Sequence, residues 1–260
     1  MTLADLSAAG SQNLFRTYFA LGLSAPGSTL SRETGFDACL GNFDHPICNF
    51  AGRIQLDPWV ANRLVELAIE RRTFNVYSTP GDSPSVREVR DELLVRAGFR
   101  RNYSLQQLYW EPRNTVQQVE LELAKTVEER REIATFMANQ FFSRHSANFR
   151  RRIAEATLGA SELDLYAVRQ RNDLVATLML VEDESVIGLF NLCVKSHAQN
   201  RGWGQSIVAE VQRRAFGRSK VVNLQCDETL TPWYERQGFQ RSGWVDVYGL
   251  SDERRIAIIN

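Results

Sequence analysis

The segment Gln199-Asn200-Arg201-Gly202-Trp203-Gly204 is the part of this sequence best equipped to hold a ligand. It follows a nearly continuous apolar run, Val186-Ile187-Gly188-Leu189-Phe190-Asn191-Leu192-Cys193-Val194, and precedes an amphipathic stretch. Glycines at such a junction let the backbone turn with its amides pointing one way. The start of a helix adds unpaired N–H groups and the positive end of its dipole. Together these can bind a pyrophosphate without a lysine. The loop is not a P-loop, because Gly204 is followed by Gln205-Ser206 and not by Lys-Ser/Thr. It is not a dinucleotide fingerprint either, because no third glycine stands near Ile207. Taken alone, a Gly-x-Gly before a helix reads equally well as a tight strand-to-helix turn.

Other reactive residues are sparse. Cys193 could act as a covalent nucleophile, but no histidine stands in an obvious partnering position, and it reads as a buried strand cysteine. His197, just before the loop, is a candidate contact to a phosphate. Cys39, His45 and Cys48 could in principle meet a metal. The four cysteines contain no Cys-x-x-Cys pair, so the expectation is no metal site, free thiols and a reduced cytoplasmic setting.

Charge excludes more than it suggests. The 260 residues carry 31 Lys plus Arg against 31 Asp plus Glu, a formal net charge of zero. That gives no support for a nucleic-acid or membrane-surface binder. The pairs Arg71-Arg72, Arg130-Arg131 and Arg213-Arg214, and the run Arg150-Arg151-Arg152, read as solvated helix faces. No apolar run approaches the roughly 20 residues that span a bilayer. Met1 to Gly10 has no basic start and carries Asp5, unlike a signal peptide.

The elements that must position these residues follow from periodicity. A helix is expected around Leu14 to Leu23, followed by the turn Ala25-Pro26-Gly27-Ser28. Asp57-Pro58 is a helix start, with Val60, Leu64, Leu67 and Ala68 on its apolar face. Thr73 to Tyr77 alternates as a strand. Gly81-Asp82-Ser83-Pro84 turns into a helix whose inner face is expected at Val86, Val89, Leu93 and Leu94, stopping at Gly98. Tyr103 to Trp110 is a strand, and Glu111-Pro112-Arg113-Asn114 a linker. Val119, Leu121 and Leu123 alternate with Gln118, Glu120 and Glu122 as a half-buried strand. Thr126 and Glu129 make a capping box for a helix to about Phe141, and a second helix runs from about Ala147 to Ala156. Strands at 163–169, 174–181 and 185–195 precede the loop. A helix at 202–216, a strand at 220–226, a short helix at 231–237 and a strand at 244–249 follow it. This order is α/β, a mixed central sheet flanked by helices.

The chain also repeats faintly. Leu94-Val95-Arg96-Ala97-Gly98-Phe99-Arg100-Arg101 parallels Tyr234-Glu235-Arg236-Gln237-Gly238-Phe239-Gln240-Arg241, 140 positions later. Both copies follow helix, strand, helix and lead into a strand.

Residues 116–250 resemble the GCN5-related N-acetyltransferase (GNAT) superfamily. Gln199 to Gly204 matches its Arg/Gln-x-x-Gly-x-Gly/Ala loop, and Trp233-Tyr234-Glu235-Arg236-Gln237-Gly238-Phe239 resembles its Tyr-Glu-Lys/Arg-x-Gly-Phe signature, about 30 residues later. The resemblance implies tandem GNAT-like halves. Residues 1–112 would be a degenerate copy, with Ile54-Gln55-Leu56-Asp57-Pro58 and no glycine pair where the loop should be. Residues 116–260 would be the acetyltransferase domain. It further implies acetyl-CoA as cofactor, with backbone groups of Leu192, Cys193 and Val194 against the acetyl-pantetheine arm. Gln199, Asn200, Arg201, Gly202, Trp203, Gly204 and Gln205 would surround the pyrophosphate. Tyr234 would be the acid that protonates the leaving thiolate. Asp227 stands where the family often has an asparagine facing the pantetheine, and Pro232, also unusual, would delay the last short helix. Asn191 and Cys193 occupy positions where a carboxylate base is usual. The implied reaction is direct attack by an amine, of a small molecule or a protein, on the thioester. The other readings are a CoA-binding sensor with weak or no catalysis, and transfer of a longer acyl chain.

Overall fold

The computed structural model describes residues 2–79, 83–112 and 119–254. Its centre is one eleven-stranded mixed sheet with helices on both faces. The first half contributes α1 (Leu3–Leu23), the hairpin β1 (Thr29–Glu33) and β2 (Phe36–Leu40), and β3 (Asn49–Gly52). It continues with α2 (Pro58–Glu70), β4 (Asn75–Tyr77), α3 (Pro84–Ala97) and β5 (Phe99–Trp110). The second half contributes β6 (Glu122–Leu123), α4 (Val127–Phe141), α5 (Ala147–Gly159), β7 (Asp164–Gln170), β8 (Asp173–Glu182) and β9 (Val186–Val194). It ends with α6 (Trp203–Gly217), β10 (Val221–Cys226), α7 (Thr231–Arg236) and β11 (Gln240–Leu250).

The strand order is β1-β2-β3-β4-β11-β5-β10-β9-β8-β7-β6. It shows how the two copies are joined. In the first half a hairpin leads to β3, which pairs in parallel with β4. In the second half β7, β8 and β9 repeat that pattern, and β9 pairs in parallel with β10. The last strand of each copy then crosses over. β11 pairs with β4, β5 pairs with β10, and β5 and β11 pair with each other, all antiparallel. The arrangement has pseudo-twofold symmetry about the β5–β11 ladder, and the halves share one unbroken sheet.

Local chemistry accounts for the element boundaries. Asp57 accepts from the Val60 amide and starts α2, with Pro58 in the first turn. Thr126 and Glu129 form a reciprocal capping box at α4. Gly98, at φ 100°, closes α3 in the left-handed conformation. α1 begins eleven residues earlier than the periodicity suggests (Leu3 against Leu14), anchored by a capping box between Thr2 and Asp5.

Four expectations need correction. The strand at 119–123 shrinks to Glu122–Leu123, which pair with Ala167 and Tyr166 at the outer edge of β7; Gln118, like Arg113 and Asn114 of the linker and Gly81 and Asp82 of the turn, lies outside the described residues. Of the inner face expected for α3, Leu94 is buried in the core, but the two valines are not. Val86 and Val89 are 51% and 58% exposed, and the helix instead turns Arg87 and Arg90 inward to the fully buried Asp246 of β11. β4 does not alternate: Asn75, Val76 and Tyr77 are all buried, as suits a strand with neighbours on both edges and helices on both faces. Pro232 does not delay α7, which already begins at Thr231 with the proline in its first turn, where no amide is needed. The strands β1, β2 and β3 have no counterpart in the sequence reading. Among the described residues no helix is long and apolar enough to cross a membrane.

Candidate active site

β9 and β10 are hydrogen-bonded only at their first residues, Val186 to Gly188 against Val221 to Asn223. Beyond Gly188 they part, β9 staying with β8 and β10 with β5. Each strand is held on its far side, so a wedge opens between them. A bulge shapes the β9 wall. The register shifts between Thr177 and Met179, and Asn191 takes φ 51°, a conformation asparagine tolerates better than most residues. Past the bulge, the Lys195 amide donates to the Val175 carbonyl at 2.8 Å. Strand amides alternate in direction, so the amide and carbonyl of Val194 face away from β8, into the wedge. The Gln199 side chain confirms that direction by donating to the Val194 carbonyl at 3.0 Å.

The chain then turns through a 3-10 segment, Ser196–Ala198, and two left-handed residues, Asn200 (φ 60°) and Gly202 (φ 85°), before entering α6. A Cβ on Gly202 would meet nothing within 4 Å, so glycine answers there to backbone conformation. A Cβ on Gly204 would stand 3.4 Å from the Trp233 ring, in ordinary van der Waals contact, so only a side chain longer than alanine's would press on α7 there. No side chain caps α6, whereas Thr2, Asp57, Ser83, Thr126 and Ser146 cap α1 to α5. The first-turn amides of α6 are thus left for an external acceptor.

The wedge and loop form a cleft of about 650 Å³. Leu192, Cys193, Val194, Gln199, Asn200, Gly202, Trp203, Gly204, Gln205 and Tyr234 all line it. Arg201 and Asp227 do not. Asp227 is exposed and accepts from the Thr229 amide and hydroxyl, which hold its carboxyl below the usual range. His197 is also exposed and outside the lining, 3.9 Å from Asp173. Cys193 is a neutral thiol: burial pushes its pKa up to about 11, and Thr177 Oγ1 lies 3.1 Å from its sulfur.

Tyr234 is 9% exposed and wedged edge-on between Trp233 and Phe239, with centroid separations of 4.8 and 5.5 Å. Burial raises its pKa, and the neighbouring Cys226 adds to the shift, so the phenol is protonated throughout the neutral range. α7 holds it in place. Gly238, at φ 86°, ends the turn, and Gln212 of α6 donates to the Gln237 carbonyl at 2.8 Å.

The sequence reading gave no site role to Gln140, Phe141, Ala198, Leu230 and Trp233, which complete the lining. Phe141 and Leu230 are 49% and 50% exposed, an unusual cost at the end of α4 and in a surface turn, and that exposure is legible only in three dimensions. Phe141 also lines a second cleft of about 400 Å³. There the walls are Tyr18, Tyr77, Tyr103, His45 and Phe142, with Asn191 at the bulge. Among the described residues no carboxylate lines either cleft.

Residues 119–246 match the family described as "Acetyltransferase (GNAT) domain". A GCN5-related N-acetyltransferase from Kribbella flavida is similar in structure over 95% of both chains, at a TM-score of 0.62 and 16% identity. Another, from Sphaerobacter thermophilus, covers 84% of this chain and 81% of its own, at 0.55 and 14%. A tandem GNAT protein from the clavulanic acid biosynthesis pathway covers 97% of this chain and 98% of its own, at 0.57 and 10%. These likenesses extend across both halves, and at such identities they speak to the fold alone. A search by sequence among curated proteins gives no match.

Proposed function

Because the second half of this chain is a domain of the GNAT acetyltransferase family, we propose that the protein transfers an acetyl group from acetyl-CoA to an amine. The observation that carries this reading is the wedge between β9 and β10, with the uncapped start of α6 at one end and the Tyr234 phenol in its wall. The residues present suit CoA. Free amides at the start of α6 match a pyrophosphate, and the Val194 amide matches a carbonyl oxygen. When bound, acetyl-CoA supplies an activated acyl carbon and a thiolate leaving group.

The chain's own groups would act as follows. The left-handed loop and α6 hold the diphosphate by amides and dipole. The Val194 amide donates to the carbonyl oxygen as charge develops on it. The amine lone pair forms the C–N bond as the C–S bond breaks. The Tyr234 hydroxyl gives its proton to the departing sulfur, and the proton lost by the amine returns through solvent to the phenolate. Much of the rate gain comes from holding both partners in line. Arg201 enters this reading only as a loop residue outside the cleft lining, and Asp227 only as the residue that follows β10.

A CoA-binding protein with little catalysis is the second reading, favoured by the lack of a carboxylate in either cleft. Thiol release from acetyl-CoA against a panel of amines separates the two. We expect release with the native protein and a loss of about 10²–10⁴-fold in kcat for Tyr234→Phe, with the acetyl-CoA KM little changed. Native-like turnover of that variant across the pH range would remove Tyr234 from the mechanism.

A further inference from the structure

We propose that the second cleft is the acceptor site, and that it selects an amine borne on an apolar, aromatic body with no second charge. The inference rests on the acetyl-transfer reading for what happens to the amine, and on the cleft itself for which amine it is.

Position comes first. The two clefts share Phe141 as a wall, and the same turn of β9 gives Asn191 to one and Leu192 to the other. A molecule in the aromatic cleft therefore reaches the wedge at the Asn191 bulge, beside the Val194 amide. Composition comes second. Tyr18 and Tyr77 meet edge-on at 5.4 Å, and the Tyr77 and Tyr103 hydroxyls are 3.4 Å apart. His45 packs among Phe43, Phe142 and Phe149. Its Nδ1 accepts from the Ile47 amide at 3.1 Å, which places the proton on Nε2. The imidazole is then a donor and offers no lone pair to an ammonium. The polar surface of the cleft is phenol, imidazole N–H, amide and hydroxyl, without a formal charge.

Such walls pair with an aromatic ring by edge and face. They leave a second ammonium, or a carboxylate, desolvated and unpaired. The same desolvation disfavours the protonated form of the reacting amine, so the cleft itself helps deliver the neutral nucleophile where no carboxylate base lines the site.

Titration calorimetry on the full, CoA-loaded chain tests the assignment, with 2-phenylethylamine and spermidine as probes. We expect 2-phenylethylamine to bind at least tenfold more tightly than spermidine. Equal affinity, a preference for spermidine, or binding of neither overturns the proposal. Tyr103 is 45% exposed at the rim, so its replacement spares the fold. Tyr103→Asp should weaken 2-phenylethylamine at least tenfold and narrow its margin over spermidine. Tyr103→Phe should hold affinity within threefold. An unchanged affinity in Tyr103→Asp contradicts the site. If 2-phenylethylamine binds as expected but releases no thiol from acetyl-CoA, the transfer reading fails while the cleft assignment stands.

Discussion

His45 and Tyr234 face different clefts, and burial governs both. It lowers the His45 pKa to about 4, with His145 adding to the shift and Asp44 opposing it. The unfolded chain, with a histidine near 6.5, therefore binds more protons than the folded one between those values. Stability is fully present above about pH 6.5 and is lost as pH falls toward 4. Thermal unfolding should show a lower Tm at pH 5 than at pH 7.5, and His45→Asn should flatten that difference; an equal slope in the variant would move the effect elsewhere. Tyr234 was legible in the sequence because its signature keeps fixed spacing from the glycine loop. His45 was legible only as one member of a doubtful metal trio. Its aromatic box adds to the nearby Phe43 two residues about a hundred positions away, Phe142 and Phe149, which no local pattern links.

Among the elements, the start of α6 carries the most specific expectation. Gly204→Leu would drive a side chain into Trp233, 3.4 Å from the position of its Cβ, and spread α6 from α7. CoA affinity should fall by tenfold or more while the melting temperature moves only a few degrees, and intact CoA binding would sink the role of the loop. α3 makes the opposite point. Its cap and stop were plain in Ser83-Pro84 and Gly98, and Leu94 does face the core, yet Val86 and Val89 do not, because a valine stripe outweighs arginines in any hydrophobic pattern. Arg87 and Arg90 turn in because Asp246 is waiting, held also by Ser104 at 2.5 Å and by the Ser78 hydroxyl on its amide. Burial raises the pKa of that carboxyl, but its hydrogen bonds and ion pairs with Arg87, Ser104 and Arg90 outweigh it and lower the net value. Asp246→Ala removes the buried carboxylate that Arg87 and Arg90 both bind and should cost about 3–5 kcal/mol, measurable by urea unfolding. A loss under 1 kcal/mol would show the cluster to be well solvated.

For the whole molecule, the repeat near Gly98-Phe99 and Gly238-Phe239 was visible, and so was the order of elements in the second half, whereas β1, β2 and β3 of the first half were not. The exchange of final strands was not. Two copies that each keep their own last strand would give the same sequence pattern, so topology had to be seen. With β5 paired to β10 and β11 paired to β4, neither half completes its sheet alone. A fragment spanning 119–254 should expose the edge of Val221–Cys226 and self-associate or aggregate, whereas co-expression with 2–112 should restore a soluble complex. A monomeric, cooperatively folded 119–254 in gel filtration and thermal melts would contradict this. The exchange also bears on how the chain is made. β11 fills a slot in the middle of the sheet but leaves the ribosome after every other strand. Until Leu250 emerges, β4 and β5 wait with open edges while the second half is being synthesised. Those edges are the stretch of the nascent chain most in need of a chaperone.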